Sequence, residues 1–175
     1  MVDDLSATYL HKNPIIRAFS RTKINLILKI ADLKKEDIIL DFGCGKGWLK
    51  NKLKEKGHSV IGYDITPENS DIKDYTKIKP NKIFLTDVFE HLSKEEIEKV
   101  IGNFKKMNPN FELITSIPTE NWISRKARKI LGKREKAIDH ITPLKEILEI
   151  LKKNLKLVKK IDFLTVSYIA KFKNI

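Results

Sequence analysis

The sequence predicts an α/β fold in which short buried strands alternate with amphipathic helices to build a doubly wound sheet. Three observations predict it. Residues Ile38–Asp64 read IILDFGCGKGWLKNKLKEKGHSVIGYD, which is a strand, a glycine turn, a helix, a second strand and an acid. Two further apolar runs, Ile83-Phe84-Leu85 and Phe111–Ser116, are too short for helices and flank a span with apolar residues at helical spacing. Near the end, Leu155–Ile161 and Leu164–Phe172 alternate as a strand pair does.

Taken in order, residues 1–12 read as a loosely ordered segment or short lid carrying Tyr9 and His11. Asn13-Pro14 starts a helix, with Asn as N-cap and Pro at the first helical position. That helix runs to about Ala31 and buries Ile16, Phe19, Ile24, Ile27, Leu28 and Ala31. Leu33–Asp37 turns into the strand Ile38-Ile39-Leu40, which Asp41 closes. Gly43, Gly45 and Gly47 follow at every second position, letting the backbone turn sharply and admitting close approach. A helix spans Trp48–Lys56, and Gly57 stands at its C-terminal stop. The strand Val60–Tyr63 ends on Asp64.

Residues Ile65–Asn81 are polar and irregular; a short strand fits around Tyr75–Ile78, or the strand is missing. Lys82–Thr86 is the next buried strand, with Asp87 at its carboxyl end. Ser93 and Glu96 form a capping box for a helix to about Met107, with Ile97, Val100, Ile101 and Phe104 on one face. Ile117-Pro118 ends the strand after it. In residues 119–141, Trp122, Ile123, Ala127, Ile130 and Leu131 recur at helical spacing between Arg125, Lys126, Arg128 and Lys129, a basic amphipathic helix. Thr142-Pro143 starts the last helix, which Asn154 ends.

The chain has 175 residues, the size of one domain with one substantial core. Its net charge is +12, carried mainly by lysine; glutamine is absent, a bias compatible with a heat-adapted source and set against it by eleven asparagines. No apolar run is long enough to span a membrane, and Met1-Val2-Asp3-Asp4 does not resemble a signal peptide, so a cytoplasmic location is expected. The single cysteine, Cys44, excludes an internal disulfide and a cysteine-cluster metal site; it reads as a small residue fitting the glycine turn.

The strand–turn–helix–strand–acid order is the first half of a nucleotide-binding fold, in which an acid about 20 residues beyond the glycines takes ribose hydroxyls. Asp64 is placed for that role. The glycine spacing is not G-x-G-x-x-G, and Asp41 stands two residues before the first glycine, where it opposes a pyrophosphate but suits an amino group and a sulfonium. On Asp41-Phe42-Gly43-Cys44-Gly45-Lys46-Gly47, Asp64, and Thr86-Asp87-Val88-Phe89-Glu90-His91-Leu92, the chain resembles the class I S-adenosylmethionine-dependent methyltransferases, and more narrowly their type 11 and type 23 groups. The likeness runs from about Ile38 to the C-terminus.

The resemblance implies a Rossmann-like, mostly parallel sheet whose last strand inserts antiparallel, with the third strand short or missing. It implies one methyltransferase-like domain over 1–175, with 1–37 a helical cap and 119–141 a basic lid on the ligand side. S-adenosylmethionine is the implied cofactor. Its implied contacts are Asp41, Gly43, Gly45, Gly47, Asp64, Ile65, Asp87 and Val88. In the shortened second-to-fourth-strand connection, Asp71 and Asp74 are the acids available to the adenine.

The candidate catalytic residues are His91 and His140. His91 matches the histidine of the Glu-His-Leu signature; a histidine at a helix start is also often structural. His140 follows Asp139, a pair that orients a base only if both face the site. Positioning carries much of a methyl transfer from a sulfonium, and a base is needed when the acceptor is a hydroxyl or acidic carbon. No Asn/Asp-Pro-Pro-Tyr-type motif follows the fourth strand, and no spare cysteine serves cytosine methylation. A metal-assisted site would need several carboxylates, with Asp87, Glu120 and Asn121 the group to consider, and no metal is expected.

Methyl transfer to a small-molecule or lipid-like acceptor is the function expected. The alternative is an RNA-binding or RNA-methylating protein, acting through the basic segment 125–136, or a non-catalytic partner subunit of the same fold. The basic segment fits three roles: a solvated face, a seat for an anionic acceptor, or a membrane-surface helix.

Overall fold

The computed structural model describes residues 12–119, 121 and 140–175. Helix α1 spans Pro14–Ala31, and Asn13 caps it, its side chain accepting from the Ile15 amide at 2.9 Å. Strand β1 (Ile38–Phe42), helix α2 (Trp48–Glu55) and strand β2 (Ser59–Tyr63) form the first unit. Strand β3 (Lys82–Thr86), helix α3 (Lys94–Met107) and strand β4 (Glu112–Pro118) form the second. The Ser93 capping box is present on α3, with both reciprocal bonds made. Helix α4 (Leu144–Asn154) leads into a hairpin of β5 (Leu155–Phe163) and β6 (Ser167–Asn174).

The six strands are ordered β2-β1-β3-β4-β6-β5. Strands β1 to β4 pair in parallel, and β6 lies antiparallel between β4 and β5. Side chains alternate across the sheet and define two cores. Leu40, Phe42, Ile83, Leu85, Leu113 and Phe172 pack on α3 and α4; Ile39, Phe84, Ile114 and Ile169 pack on α1 and α2. Each such side chain, fully buried, contributes roughly 1.5–3 kcal/mol. The chain leaves β1 for β2 on one side and returns to β3 on the other. That reversal opens a crevice at the carboxyl ends of β1 and β3, where ligands of open α/β sheets bind.

The third strand is missing among the described residues. Between β2 and β3 the chain makes two single 3₁₀ turns, Pro67–Asn69 and Tyr75–Lys77. Of the two alternatives, a short strand around Tyr75–Ile78 or none, the structure has none: Asp74 accepts from the Thr76 amide and hydroxyl and starts a turn there. Asp71 stands in for the lost neighbour of β2. Its amide donates to the Gly62 carbonyl at 2.9 Å, and its carboxylate accepts from the Gly62 amide at 2.9 Å and from Lys50 Nζ at 2.7 Å. Asp71 and Asp74 thus serve the backbone of this connection, and Tyr75 packs edge-on to Phe42 with ring centroids 4.9 Å apart.

Helix α4 starts where Thr142-Pro143 led one to expect, with Pro143 as its N-cap, and the Thr142 hydroxyl donates to the Leu92 carbonyl at 2.5 Å. One expectation is corrected. Leu164 and Thr165 are not in a strand; they form the β5–β6 turn, with φ of +49° and +57°.

Candidate functional site

The β1–α2 turn is built on three left-handed glycines, with φ of +74° at Gly43, +50° at Gly45 and +76° at Gly47. Gly43 and Cys44 both donate their amides to the Tyr63 carbonyl, at 2.7 and 3.1 Å, which ties the turn to the end of β2. A Cβ on Gly45 would meet nothing within 4 Å, so this peptide faces open space. Its amide donates to Asp64 Oδ2 at 2.8 Å, and the Thr66 amide donates to Asp64 Oδ1 at 2.9 Å. Each carboxylate oxygen keeps acceptor capacity for a further donor. Beside it Ile65 is 90% exposed, an apolar side chain held out over the same end of the sheet.

Asp41 is 1% exposed beneath the turn. Helix α2 has no side-chain cap of its own, and Asp41 supplies one from β1, accepting the Lys50 amide at 3.1 Å. Burial pushes its carboxyl up to about 7, with the Lys50 amide and ammonium pulling the other way. The Cys44 thiol is pushed up to about 12, chiefly by burial and then by the charge of Asp41. It is therefore a neutral thiol near pH 7, in keeping with its reading as a small residue that fits the turn.

Across the crevice, Asp87 follows β3 with a φ of +56°. A left-handed aspartate is unfavourable by roughly 1–2 kcal/mol, and the surroundings hold it there. Its amide donates to the Ser116 carbonyl at 2.9 Å. Its carboxylate accepts from the Ser116 hydroxyl at 2.9 Å and from Lys23 Nζ at 2.7 and 2.5 Å. Lys23 reaches over from α1, so helix, β3 and β4 meet at this acid.

A 3₁₀ turn, Phe89–His91, comes next. Phe89 enters the core, and Glu90 is 3% exposed. The amides of Ile141 and Thr142 donate to the Glu90 carbonyl at 2.7 and 3.3 Å, docking the start of the last helical segment on this turn. The docking brings His140 to His91, with ring centroids 5.1 Å apart and planes at 81°. Ligand atoms of Glu90, His91 and His140 lie within 4.8 Å of one another.

The expected residues therefore gather at one end of the sheet, in three groups. Asp41, the three glycines, Asp64 and Ile65 surround the β1 turn, and Val88 touches it. Asp87 belongs to a Lys23–Ser116 cluster, and His91 and His140 to a cluster with Glu90. Sequence reading passed over Lys23, Ser116 and Glu90. Lys23 lies one turn from apolar positions of α1 and looks like any surface lysine, whereas Glu90 sits inside the signature that was noticed. Of the group considered for a metal-assisted site, Asp87 binds Lys23 and Asn121 donates its side chain to the Thr165 carbonyl. Tyr9, His11, Glu120, Trp122, Asp139 and the basic segment 125–136 lie outside the described residues. No helix among the described residues is long and apolar enough to cross a membrane.

Comparison with known proteins identifies the family. Residues 11–158 match the family model described as a methyltransferase domain, of the type 23 group. The chain is 28% identical over 157 residues to the "Probable cobalt-precorrin-6B C(15)-methyltransferase (decarboxylating)" of Methanococcus maripaludis, covering 87% of this chain and 75% of that one. Its fold is similar to that of a protein of Pyrococcus horikoshii OT3, with a TM-score of 0.72 at 16% identity over 97% and 96% of the two chains. It is also similar to magnesium protoporphyrin IX methyltransferase of Synechocystis PCC 6803 with bound SAH, with a TM-score of 0.65 at 18% identity over 98% and 94%. The sheet with its antiparallel β6 matches the fold of these structures, and the chain belongs to the type 23 methyltransferase domain family, S-adenosylmethionine-dependent enzymes of the class I fold.

Proposed function

We propose that this enzyme methylates a small-molecule acceptor held at the carboxyl ends of β3 and β4. The observation that carries the reading is the meeting, at one crevice, of an open glycine turn with its acids and a separate polar cluster beyond Val88. S-adenosylmethionine, when bound, supplies a methyl group on a sulfonium that leaves as a neutral thioether. The residues fit that cofactor: Gly45 presents a bare peptide to open space, and Asp64 keeps acceptor capacity on both oxygens.

Gly43, Gly45 and Gly47 admit the amino-acid part of the cofactor to the backbone, and buried Asp41 answers its positive charge. Asp64 takes the ribose hydroxyls, Ile65 gives the base an apolar surface, and Asp87 and Val88 line the reacting end. Lys23 and Ser116 fix the Asp87 carboxylate. On the acceptor side His91 and His140 handle the acceptor's proton; His58, the other described histidine, lies in the turn before β2 at the opposite end of the sheet. In this reading 1–175 acts as one domain, with 1–37 as its cap and 119–141 as its acceptor-side segment. A small acceptor is supported by the relatives, two of which are named for methylating a precorrin and a protoporphyrin.

Calorimetric titration with S-adenosylmethionine and S-adenosylhomocysteine, with NAD as control, tests the cofactor half. Both sulfur ligands are expected to bind and NAD is not. Asp64→Ala is expected to weaken binding by about tenfold or more, the loss of one or two charge-assisted hydrogen bonds. Undiminished affinity in that variant would overturn the assignment of the site.

A further inference from the structure

We propose that Glu90, His91 and His140 form a binding site for one divalent transition-metal ion, and that this ion holds the oxygen of the acceptor. The three side chains come from two segments far apart in sequence, the 3₁₀ turn after β3 and the approach to α4. Their ligand atoms already lie within 4.8 Å of one another. Around an ion with bonds near 2.0–2.2 Å, ligand atoms stand roughly 3.0–3.5 Å apart, so small side-chain rotations close the site. The backbone is already set for it. The Ile141 amide on the Glu90 carbonyl at 2.7 Å and the Thr142 hydroxyl on the Leu92 carbonyl at 2.5 Å lock one segment to the other.

The donor set selects the ion. Two imidazoles and one carboxylate suit zinc, manganese, iron(II) or cobalt, whereas magnesium and calcium favour all-oxygen shells. Three protein ligands leave open positions, as in metal sites that bind substrate. One carboxylate and two neutral imidazoles leave a charge of +1 on a divalent ion. Glu90 is 3% exposed, so that charge is weakly screened and attracts an anionic oxygen.

The site directly follows Asp87 and Val88, the residues placed at the reacting end. The acceptor assignment therefore rests on the methyltransferase reading above, while the metal site itself does not. A hydroxyl-bearing acceptor fits it. On coordination the hydroxyl releases its proton to solvent, and the resulting oxygen anion is the nucleophile. The O–C bond then forms as the S–C bond breaks, with the electron pair staying on sulfur. With the ion bound, His91 and His140 serve as its ligands, and the ion, by favouring the oxygen anion, does the work that a histidine base would do.

The test uses untagged full-length protein stripped with EDTA and titrated with cobalt(II), whose visible absorption reports imidazole and carboxylate ligation without any need for an acceptor. One equivalent with saturable visible bands is expected. His91→Ala and His140→Ala are each expected to weaken binding by about tenfold or more, with Glu90→Gln also weaker. His58→Ala, far from the site, is expected to bind as the parent does. S-adenosylmethionine titration of each variant serves as the check on folding. Failure of the parent to bind cobalt(II), or binding undiminished in His91→Ala and His140→Ala, would overturn the proposal. Cofactor binding without metal binding would sink the metal site and leave the methyltransferase reading intact. Metal binding without cofactor binding would do the reverse.

Discussion

Val88 fills the space that a side chain on Gly43 would need: a Cβ there would come within 2.5 Å of Val88 Cγ2. The turn after β1 and the turn after β3 therefore close on each other across the crevice, and the glycine is required twice over. Its φ of +74° disfavours any L side chain, and the approach of Val88 excludes one. Gly43→Ala is expected to destabilise by roughly 2–4 kcal/mol, the sum of a left-handed alanine and an overpacked contact. Val88→Ala in the same chain should return the contact part and leave the backbone part. Urea unfolding of the two single variants and the double variant measures this. Strict additivity would show that the two turns do not press on each other.

Asp41 makes stability depend on pH in an unusual direction. Its carboxyl stands at about 7 in the folded chain and near 3.8 in the unfolded one. Because the folded state holds the proton more tightly, this contribution is fully present below about pH 4. It is lost as pH rises towards 7, and is constant above. The whole swing is roughly 4 kcal/mol at most. Asp41→Asn is expected to leave stability at pH 4 nearly unchanged and to raise it at pH 8 by roughly 2–4 kcal/mol. A cation beside Asp41 favours the ionised form, so S-adenosylmethionine affinity should rise between pH 6 and pH 8 in the parent and lose that rise in the variant. Denaturation at both pH values, with calorimetry, checks the pair. A pH profile unaltered by the substitution would assign it to another group.

The parts of this chain that sequence disclosed are those where one local signal and one tertiary need coincide. Asn13-Pro14, Gly57 and the Ser93–Glu96 capping box mark helix ends by chemistry that acts within a few residues, and the structure places those ends there. The β1 turn was legible because left-handed backbone has few residues to choose from. What was hidden is what depends on distant chain. Tyr75–Ile78 has strand-like residues, yet Asp74 turns it, and the edge of β2 is satisfied by Asp71 instead. Leu164-Thr165 carries no turn residues and still turns, held by Thr119 and Asn121. His140 meets His91 only because Ile141 and Thr142 dock on Glu90, and no spacing in the sequence announces that.

Asp71 supports the edge strand where a neighbouring strand is absent. Asp71→Ala removes the acceptor of the Gly62 amide and the partner of Lys50 Nζ. A loss of roughly 1–3 kcal/mol is expected. Asp71→Asn, which keeps an acceptor for Gly62, should lose less. The exposed edge of β2 should also associate more readily, since unpaired strand edges template pairing with other chains. Thermal melting with light scattering reads both effects. A melting temperature for Asp71→Ala equal to that of the parent would mean that the edge does not depend on this residue.

Leu164 and Thr165 hold positive φ at both central positions of a tight hairpin, a geometry that Asn-Gly adopts readily and a β-branched threonine resists. The strain is held from outside, because the Thr119 hydroxyl and the Asn121 side chain both donate to the Thr165 carbonyl. Those contacts use a backbone oxygen, so replacing the side chains should keep them. Leu164→Asn combined with Thr165→Gly is therefore expected to stabilise by roughly 1–2 kcal/mol and to raise the melting temperature by about 3–8 °C. The turn lies at the end of the sheet where β4 finishes, beside Thr119 and Asn121, so backbone strain here borders the candidate site. Cofactor affinity measured on the same variant separates two cases. Unchanged affinity with a higher melting temperature marks the strain as incidental to the site. A higher melting temperature with weaker binding would show that the stiff turn helps to shape it, and no change in melting would mean that Thr119 and Asn121 already offset the strain.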